Sequence, residues 1–387
     1  MHDPSLTSAA ALARRGGREA LAEALLASRA DTLATFADYR RALPGLQVPM
    51  RAGLNPPLWE LGHVGWFQDF WIARNPQRGR GTAADPEAPR SPCARADSDR
   101  LYDSGRVEHD SRWRLPLPDA EATLDDLARQ LERTLALLRG SERDDDDTLY
   151  FFRLALLHED MHHEAALYMA QSLGIRITDP AWQPRAIPEP GRPLGFEAGT
   201  WRLGGGTDGG FAFDNERPPT LVPVSACSID AQVVRWAEFV PFIEDGGSTP
   251  RDLRRASNGW QRRRQGAWED LRLDEAACHL SLREAEAWCR WAGRRLPTEA
   301  EWEQAAVMCP DAFRWGDVWE WTASLFGPHP GFAAHPYRDY SAPWFDGRRV
   351  LRGASFMTQP RMRHPCYRNF FEAHRDDVPA GFRTCAA

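Results

Sequence analysis

The 387-residue chain is 42% hydrophobic with 16 tryptophans, so it can bury the cores of two or three domains, and this composition excludes an intrinsically disordered protein. Its net charge of −7 and the lack of a dense basic run argue against nucleic acid or an anionic membrane as the main partner. The sequence has no apolar signal core at its start and no apolar run of about 18 residues, which predicts a cytoplasmic protein. Seven scattered cysteines without a CxxC pair predict reduced thiols.

Helical periodicity dominates the first 178 residues. Apolar positions recur at helical spacing in four stretches, and one long connection, residues 75–118, separates the second from the third. The second stretch opens at Asn55-Pro56-Pro57, where asparagine suits a helix cap and proline suits the first turn. Four helices with one long crossover predict an up-down bundle with a site in its core. The predicted helices are Glu19–Leu43, Leu58–Trp71, Ala122–Leu138 and a fourth that starts after the acidic run 142–148.

The fourth helix carries a histidine pair. His158 and His162 are four residues apart, so on a helix their imidazoles share one face and can bind one metal ion. His163 lies about 140° further round the helix than His158 and points elsewhere. The pair alone fits a metal site and a pair of polar groups satisfied inside a bundle equally well, so a third ligand decides between the two interpretations.

His63 on the second helix is the candidate third ligand. A lone histidine among tryptophan and phenylalanine side chains is more often a hydrogen-bonded core residue. Beside His158 and His162, however, it completes a set of three neutral imidazoles that leaves coordination positions open. Nitrogen ligands favour Fe, Zn or Cu over Mg or Ca. The candidate acceptors that orient the imidazoles are Glu159, Asp160 (with the solvated side of the helix as its alternative) and Glu164.

The composition changes after the fourth helix. Residues 179–194 form a proline-rich linker with little helical potential. From residue 195 the chain is rich in glycine, tryptophan and short apolar runs, interrupted by two helical stretches, Leu282–Ala292 and Thr298–Val307. The expected fold class is therefore α plus mixed α/β, with a helical bundle over residues 1–178 and an irregular α/β domain over residues 195–387.

Four ordered motifs in the second domain resemble formylglycine-generating enzymes (sulfatase-modifying factors), whose fold is C-type-lectin-like. They are GRRLPTEAEWE at 293–303, GDVWEWT at 316–322, RVLRGASF at 349–356 and AGFR at 380–383. The preceding bundle with its three histidines resembles the DinB-like domain. This domain order is similar to the sulfoxide synthases of ergothioneine biosynthesis, which are non-heme iron oxygenases. Aromatic runs within 330–345 and 367–371 favour that family over formylglycine-generating enzymes proper.

The cysteine pattern departs from the formylglycine-generating enzymes. Those enzymes use two cysteines shortly after the Gly-Ser-aromatic motif. Here Thr358 stands where the first is expected, and only Cys366 remains. Copper–thiolate chemistry needs the pair, so we expect the second domain to serve as a substrate-binding wall over the metal site of the bundle. Cys366 is then interpreted as an ordinary buried thiol.

The resemblance implies an Fe(II) cofactor, O2 as co-substrate and a bond between a thiol, or its selenium analogue, and the imidazole of hercynine. An active-site tyrosine is expected, and the sequence leaves Tyr337 and Tyr340 as alternatives. Met161 replaces a glutamine near the imidazole. Phe370 and Phe371 replace a Trp-Asp pair, so the trimethylammonium contact is expected to be aromatic, with domain core as the alternative. The implied substrate-binding positions are Met161, Asn369, Phe370 and Phe371.

The donor segment, residues 101–113, differs from the Asn-Ser-Tyr-Tyr run of ergothioneine enzymes and resembles the selenoneine synthase branch, whose donor is a selenosugar. Hydroxyl and carboxylate groups here suit a sugar, whereas Arg106 and Arg112 can bind a carboxylate. The expected function is therefore carbon–selenium bond formation on hercynine.

Three alternatives to the selenium reaction remain. The first is a hercynine sulfoxide synthase that uses glutamyl-cysteine or cysteine. The second is a zinc-dependent DinB-type thiol transferase, and the third is a non-catalytic binding module. A structural Ca site near Asp317 and Glu320 is a further possibility.

Overall fold

The computed structural model describes residues 4–51, 53–205 and 209–387. The N-terminal part of the described chain is helical. Its helices are α1 (Pro4–Arg15), α2 (Arg18–Ala42), α3 (Pro57–Gln68), α4 (Ser98–Tyr102), α5 (Ala120–Arg139) and α6 (Asp146–Leu173).

Local sequence signals explain where the long helices begin and end. The Asp119 carboxylate caps α5 by accepting from the backbone N–H of Ala122, at 2.8 Å. Asp145 caps α6 by accepting from the N–H of Thr148, also at 2.8 Å. Helix α6 ends at Gly174, whose φ of 72° lies in the left-handed region that glycine tolerates. The acidic run thus starts the helix as expected, with Asp145 as its cap.

Helix α3 departs from the prediction at both ends. Pro56 occupies the cap position, and the side chain of Asn55 donates instead to the Glu60 carboxylate, so the cap predicted for Asn55 is wrong. After Gln68 the helix continues as one π-helical turn, Asp69–Ala73. Every residue of α3 is buried, which agrees with its position inside the bundle.

The predicted four-helix bundle is confirmed. Helix α2 packs on α5 and α6, and α3 packs on the same two helices. Two features were not predicted: α1 precedes the bundle and contacts α2 and α6, and the long connection between α3 and α5 contains the short helix α4. Helix α4 in this connection lies against α3, where the indole N–H of Trp59 donates to the Leu101 carbonyl at 2.7 Å.

The C-terminal part is the predicted mixed α/β domain. Its helices are α7 (Trp236–Glu244), α8 (Leu282–Trp291) and α9 (Glu299–Met308). Ser281 and Thr298 start α8 and α9 with capping boxes, which explains why both were predictable from sequence.

Its strands are short. They are β1 (Leu194–Phe196), β2 (Gly199–Leu203), β3 (Thr220–Val224), β4 (Cys227–Ile229), β5 (Leu253–Ala256), β6 (Gly259–Arg264), β7 (Ala267–Asp270), β8 (Arg294–Arg295), β9 (Val318–Leu325), β10 (Arg349–Ala354), β11 (Asn369–Phe371), β12 (Ala380–Gly381) and β13 (Cys385–Ala386). They form two four-stranded sheets, ordered β1-β4-β13-β8 and β11-β10-β9-β12, with a β2-β3 pair and a β5-β6-β7 meander.

The two parts share an interface along α6. On one side of this helix the Tyr367 hydroxyl donates to Met161, the Trp319 indole donates to Glu164, and Gln171 bonds to the loop that precedes β5. All seven cysteines are free thiols. Within the described residues, every helix is too short or too polar to cross a lipid bilayer.

Candidate metal centre

Three histidines meet in the core of the bundle. The ring centroid of His63, on α3, lies 5.1 Å from that of His158 and 4.8 Å from that of His162. The two α6 rings are 4.4 Å apart. One nitrogen of each ring lies within 4.8 Å of the others. In the described part of the chain, this is the one group of three or more histidine, cysteine, aspartate or glutamate side chains close enough to share a metal ion. The structure thus brings together the three predicted ligands.

Neighbouring acceptors hold two of the imidazoles in place. The Nδ1–H of His63 donates to the Tyr102 carbonyl at 2.8 Å. The Nδ1–H of His162 donates to the Glu60 carboxylate, which also accepts from Asn55. With both Nδ1 atoms protonated, the Nε2 atoms of His63 and His162 carry free lone pairs, the form in which histidine binds metals.

The acceptors predicted for the imidazoles are wrong. Glu159 forms an ion pair with Arg29 on α2, at 2.7 Å. Asp160 and Glu164 bond to the C-terminal domain. The residues that do orient the imidazoles, Glu60 and the carbonyl of Tyr102, lie on α3 and at the end of α4, and sequence analysis missed both. The only sequence signal was the position of Glu60 one turn before His63.

His158 provides the test of whether a cation fits. Its side chain is buried, and neither ring nitrogen has a hydrogen-bond partner. Phe67 covers one face of the ring, with centroids 3.4 Å apart and planes 4° from parallel. A buried polar group without a partner is costly, so a metal ion shared with His63 and His162 satisfies a nitrogen that the protein leaves unpaired.

Burial keeps two of the imidazoles neutral. It lowers the pKa of His63 to about 3 and lowers the pKa of His158 well below its ordinary value. Burial raises the pKa of Glu60, but its interaction with the neighbouring His162, which includes a hydrogen bond, lowers that pKa to about 2. Neutral imidazoles at His63 and His158, with the ionised Glu60 carboxylate behind His162, suit a divalent cation that prefers nitrogen ligands.

The two candidate tyrosines lie at different distances from the centre. The ring of Tyr337 is 6.0 Å from the ring of His158 and 4.9 Å from that of Phe67. Tyr340 lies one layer further out, 6.1 Å from Tyr337, and its hydroxyl donates to Tyr367 at 3.1 Å. Burial raises the pKa of Tyr337, so its phenol stays protonated at neutral pH. Of the two tyrosines, Tyr337 therefore lies nearer to the three histidines.

The remaining predicted substrate residues lie on both sides of the interface. Met161 precedes His162, and its sulfur accepts from the Tyr367 hydroxyl at 3.4 Å. Sequence analysis had included Tyr367 only as part of an aromatic run, because nothing in the sequence indicated this contact.

Asn369, Phe370 and Phe371 form β11 in the C-terminal domain. The Asn369 side chain accepts from the backbone N–H of Phe370 at 2.9 Å. Phe370 stacks on Phe326 with centroids 4.0 Å apart. The guanidinium carbon of Arg375 lies over the Phe371 ring, 5.1 Å from the ring centre. Phe370 is thus a half-buried residue stacked on a buried ring, and Phe371 has a cation partner within the protein.

The two candidate arginines differ in environment. The Arg106 side chain is 80% exposed and pairs with Asp103 at 3.3 Å. Arg112 is half-buried, with its guanidinium 4.0 Å from the ring centre of Trp59, which in turn stacks on His63. Its hydrogen bonds go to neutral oxygens, and no carboxylate of the described residues lies within 4.0 Å of its charge. Arg112 is therefore a partly buried cation near the three histidines that forms no ion pair within 4.0 Å among the described residues, although the Glu60 carboxylate attracts its charge from further away.

The residues suggested for calcium are already paired with arginines. Arg314 binds the Asp317 carboxylate with two hydrogen bonds of 2.9 Å each. Arg383 binds the fully buried Glu320 at 2.8 Å, and the Trp302 indole donates to the same carboxylate at 2.7 Å. Both carboxylates are thus satisfied by arginine side chains without a metal ion.

Comparisons with known proteins agree with this architecture. The family model for the DinB superfamily matches residues 20–166, and that for the sulfatase-modifying factor enzyme 1-like domain matches residues 194–317 and 312–387. The hercynine oxygenase of Mycolicibacterium smegmatis is 31% identical over 446 residues, which cover 95% of this chain and 98% of the relative. The hercynine oxygenase of Mycobacterium tuberculosis is 30% identical over 85% of this chain and 90% of its own.

Formylglycine-generating enzymes are similar to a smaller share of this chain. That of Streptomyces coelicolor is 26% identical over 266 residues, 45% of this chain and 84% of its own. The combination of a three-histidine bundle with this second domain defines a two-domain protein of the DinB and sulfatase-modifying-factor type. The chain belongs to the hercynine oxygenase family, to which it is similar over nearly its whole length.

Proposed function

We propose that this protein is an iron(II)- and O2-dependent oxygenase that joins the imidazole of hercynine to a sulfur donor, as a sulfoxide synthase. One observation carries the proposal: a buried imidazole, His158, has two unpaired nitrogens beside the free Nε2 atoms of His63 and His162. The relatives that are similar over 95% and 85% of this chain are hercynine oxygenases, which supports iron rather than zinc as the metal.

The residues of the site have two roles: the histidines would hold the metal, and Tyr337 would transfer a proton. Ferrous iron, when bound, supplies a soft acceptor for the chalcogen and the electrons that activate O2. His63, His158 and His162 would hold it through three nitrogens and leave positions open. Tyr337, protonated at neutral pH and 6.0 Å from the His158 ring, is the group placed to donate a proton.

The reaction balances with O2 as the only oxidant. The imidazole C–H and the donor S–H are lost, and a carbon–sulfur bond forms. One oxygen atom of O2 enters the sulfoxide, and the other leaves as water with the two hydrogens. The protein must therefore bring the imidazole carbon next to the sulfur and deliver protons to oxygen.

Two donor classes are supported by different residues. Arg112, a partly buried cation whose hydrogen bonds go to neutral oxygens, favours a donor with a carboxylate such as glutamyl-cysteine or cysteine. A second candidate is a selenosugar, favoured by a cleft of about 220 Å³ bordered by Tyr337. The polar residues that line this cleft are Glu87, Asp103, Ser104, Arg106, Arg338 and Asp339. With its aromatic wall, this lining resembles a site for hydroxyl groups more than a site for carboxylates.

Donor competition tests the proposal. Protein loaded anaerobically with Fe(II) would receive hercynine and equimolar glutamyl-cysteine, cysteine and selenosugar, then O2, and the products would be identified by mass spectrometry. We expect the sulfoxide of the hercynine–thiol adduct. If the hercynine adduct contains selenium and no sulfur, the selenosugar is the donor. Consumption of a thiol without O2 would support a thiol transferase instead.

A further inference from the structure

Helix α6 is tied to the C-terminal domain at the turn that carries the histidines. Three polar side chains on this turn, Asp160, His163 and Glu164, are each bonded to one segment of the second domain, Ser355–Arg361. We refer to residues 355–361 as the clamp segment. It supplies no residue to the three-histidine group, so its contacts with α6 need a separate explanation.

Glu164 forms the most extensive of these contacts. One carboxylate oxygen, Oε1, accepts from the hydroxyls of Ser355 and Thr358 and from the Trp319 indole, each at 2.7 Å. Thr358 stands where formylglycine-generating enzymes are expected to carry a cysteine, and here its hydroxyl is committed to the bundle. The carboxylate is buried, so the loss of any of these donors leaves it poorly satisfied.

His163 is bonded on both edges of its ring. The side-chain amide of Gln359 donates to Nδ1 at 3.1 Å, so the proton resides on Nε2, which donates to the Thr35 hydroxyl at 2.9 Å. The same amide donates to Asp31 at 3.0 Å. Because the buried Gln359 bonds to both His163 and Asp31, the clamp segment connects α6 to α2.

Asp160 lies between the two metal-site histidines in sequence and is buried. Arg361 of the clamp segment binds its two carboxylate oxygens, at 2.9 and 3.0 Å. Ser28 on α2 donates to the same carboxylate at 2.7 Å. Rotation of α6 would separate this buried ion pair, and an unpaired buried charge is strongly destabilising.

These contacts fix the rotation of the helix turn that holds His158 and His162. Neighbouring residues of a helix move together, so a bond that fixes Asp160 or His163 also fixes the directions of His158 and His162. A metal site tolerates little displacement of its ligands, because their geometry determines how tightly the ion is bound.

We propose that the clamp segment is a positioning element for the metal centre: the C-terminal domain sets the metal affinity of a site whose ligands all come from the bundle. This inference rests on the proposed function, because it takes the three histidines as metal ligands. It goes further by assigning Thr358 and Gln359 a role that is separate from substrate binding.

The alternative is that these contacts only hold the two domains together. Gln171 provides the control for this alternative. Its side chain also joins the domains, by donating to the carbonyl of Arg263 at 3.0 Å and accepting from the N–H of Gln265 at 2.7 Å. Gln171 lies about two and a half turns beyond His162 on α6. Loss of this contact weakens the domain interface without touching the turn that carries the histidines.

The test compares Gln359→Leu with Gln171→Leu, the same substitution at two buried interface positions. Thr358→Val provides a second variant in case Gln359→Leu folds poorly, with Thr358→Ser as the conservative rescue. Each protein would be titrated with Co(II), and the dissociation constant and visible absorption bands would be recorded together with the melting temperature.

We expect Gln359→Leu and Thr358→Val to bind Co(II) about tenfold more weakly or worse, with altered absorption bands. We expect Gln171→Leu and Thr358→Ser to keep the wild-type affinity, even where the melting temperature falls. Wild-type affinity and bands in both Gln359→Leu and Thr358→Val would overturn the positioning role. A wild-type protein that binds no Co(II) would overturn the metal centre itself, and the inference with it.

Discussion

Glu60 and His162 connect the two helices that carry the three clustered histidines: the Glu60 carboxylate on α3 accepts a hydrogen bond from Nδ1 of His162 on α6. The carboxylate is buried, and its pKa is lowered to about 2, so it is ionised at neutral pH. This contact holds the imidazole in one tautomer with Nε2 directed at the other two histidines, and the negative charge makes that nitrogen a stronger ligand.

Replacement of Glu60 by glutamine is expected to weaken metal binding. The amide keeps the shape of the side chain but loses the charge, so Fe(II) affinity should fall by about 10- to 100-fold. Anaerobic competition titration with a chelator measures this change. Glu121→Gln, at an exposed residue that pairs with Arg40, provides the control and should leave the affinity unchanged. Equal affinities in the two variants would remove Glu60 from the metal centre.

The two tyrosines are expected to differ in their effect on turnover. Tyr337→Phe removes the only candidate phenol next to the His158 ring, so kcat should fall by about 10²- to 10⁴-fold if that phenol transfers a proton. Tyr340→Phe removes a hydrogen bond to Tyr367 one layer further out and should change kcat much less. Steady-state oxygen uptake with hercynine measures both. A larger loss in Tyr340→Phe would reverse the assignment.

Arg112 is expected to determine the affinity for a donor with a carboxylate. Arg112→Met keeps an apolar stem against Trp59 but removes the charge, and a hydrogen bond to a charged group contributes about 1.5–3 kcal/mol, so KM for glutamyl-cysteine should rise by at least tenfold. Arg106→Met makes the same change at an exposed, paired arginine and serves as the control. A KM for glutamyl-cysteine that is equal in both variants and in the wild type would indicate that the donor binds elsewhere.

The protein is expected to need no calcium for stability. Because Arg383 already neutralises the buried Glu320, excess Ca2+ or a calcium chelator should leave the melting temperature unchanged. Arg383→Met should instead lower the free energy of unfolding by about 3–5 kcal/mol, since it leaves a buried carboxylate without its partner. Differential scanning calorimetry measures both effects, and a melting temperature that rises with Ca2+ would restore the calcium site near Asp317.

The helices and the three histidines could be predicted from local sequence patterns. Apolar periodicity gave α2, α5 and α6, and the acidic run 142–148 marked the start of α6. The spacing of His158 and His162 requires only helical geometry. These features depend on residues near one another in the chain, which is why the sequence alone sufficed.

The partners of the site residues could not be predicted in the same way. Glu60 and His162 are brought together only when α3 and α6 cross, and the chain between them contains a long irregular connection. Glu164 was expected to serve the imidazoles because it is near them in sequence, yet its side chain faces the C-terminal domain. The choice between Tyr337 and Tyr340 likewise depends on how a loop of the second domain folds over the bundle.

Oxygen uptake tests the central claim most directly. Wild-type protein loaded with Fe(II) is predicted to consume one O2 for each molecule of hercynine converted in the presence of a donor. Protein loaded with Zn(II), and the His158→Ala variant treated with Fe(II), are predicted to consume none above background. Turnover that persists in His158→Ala, or product that forms with Zn(II) and without O2, would contradict an iron-dependent oxygenase built on His63, His158 and His162.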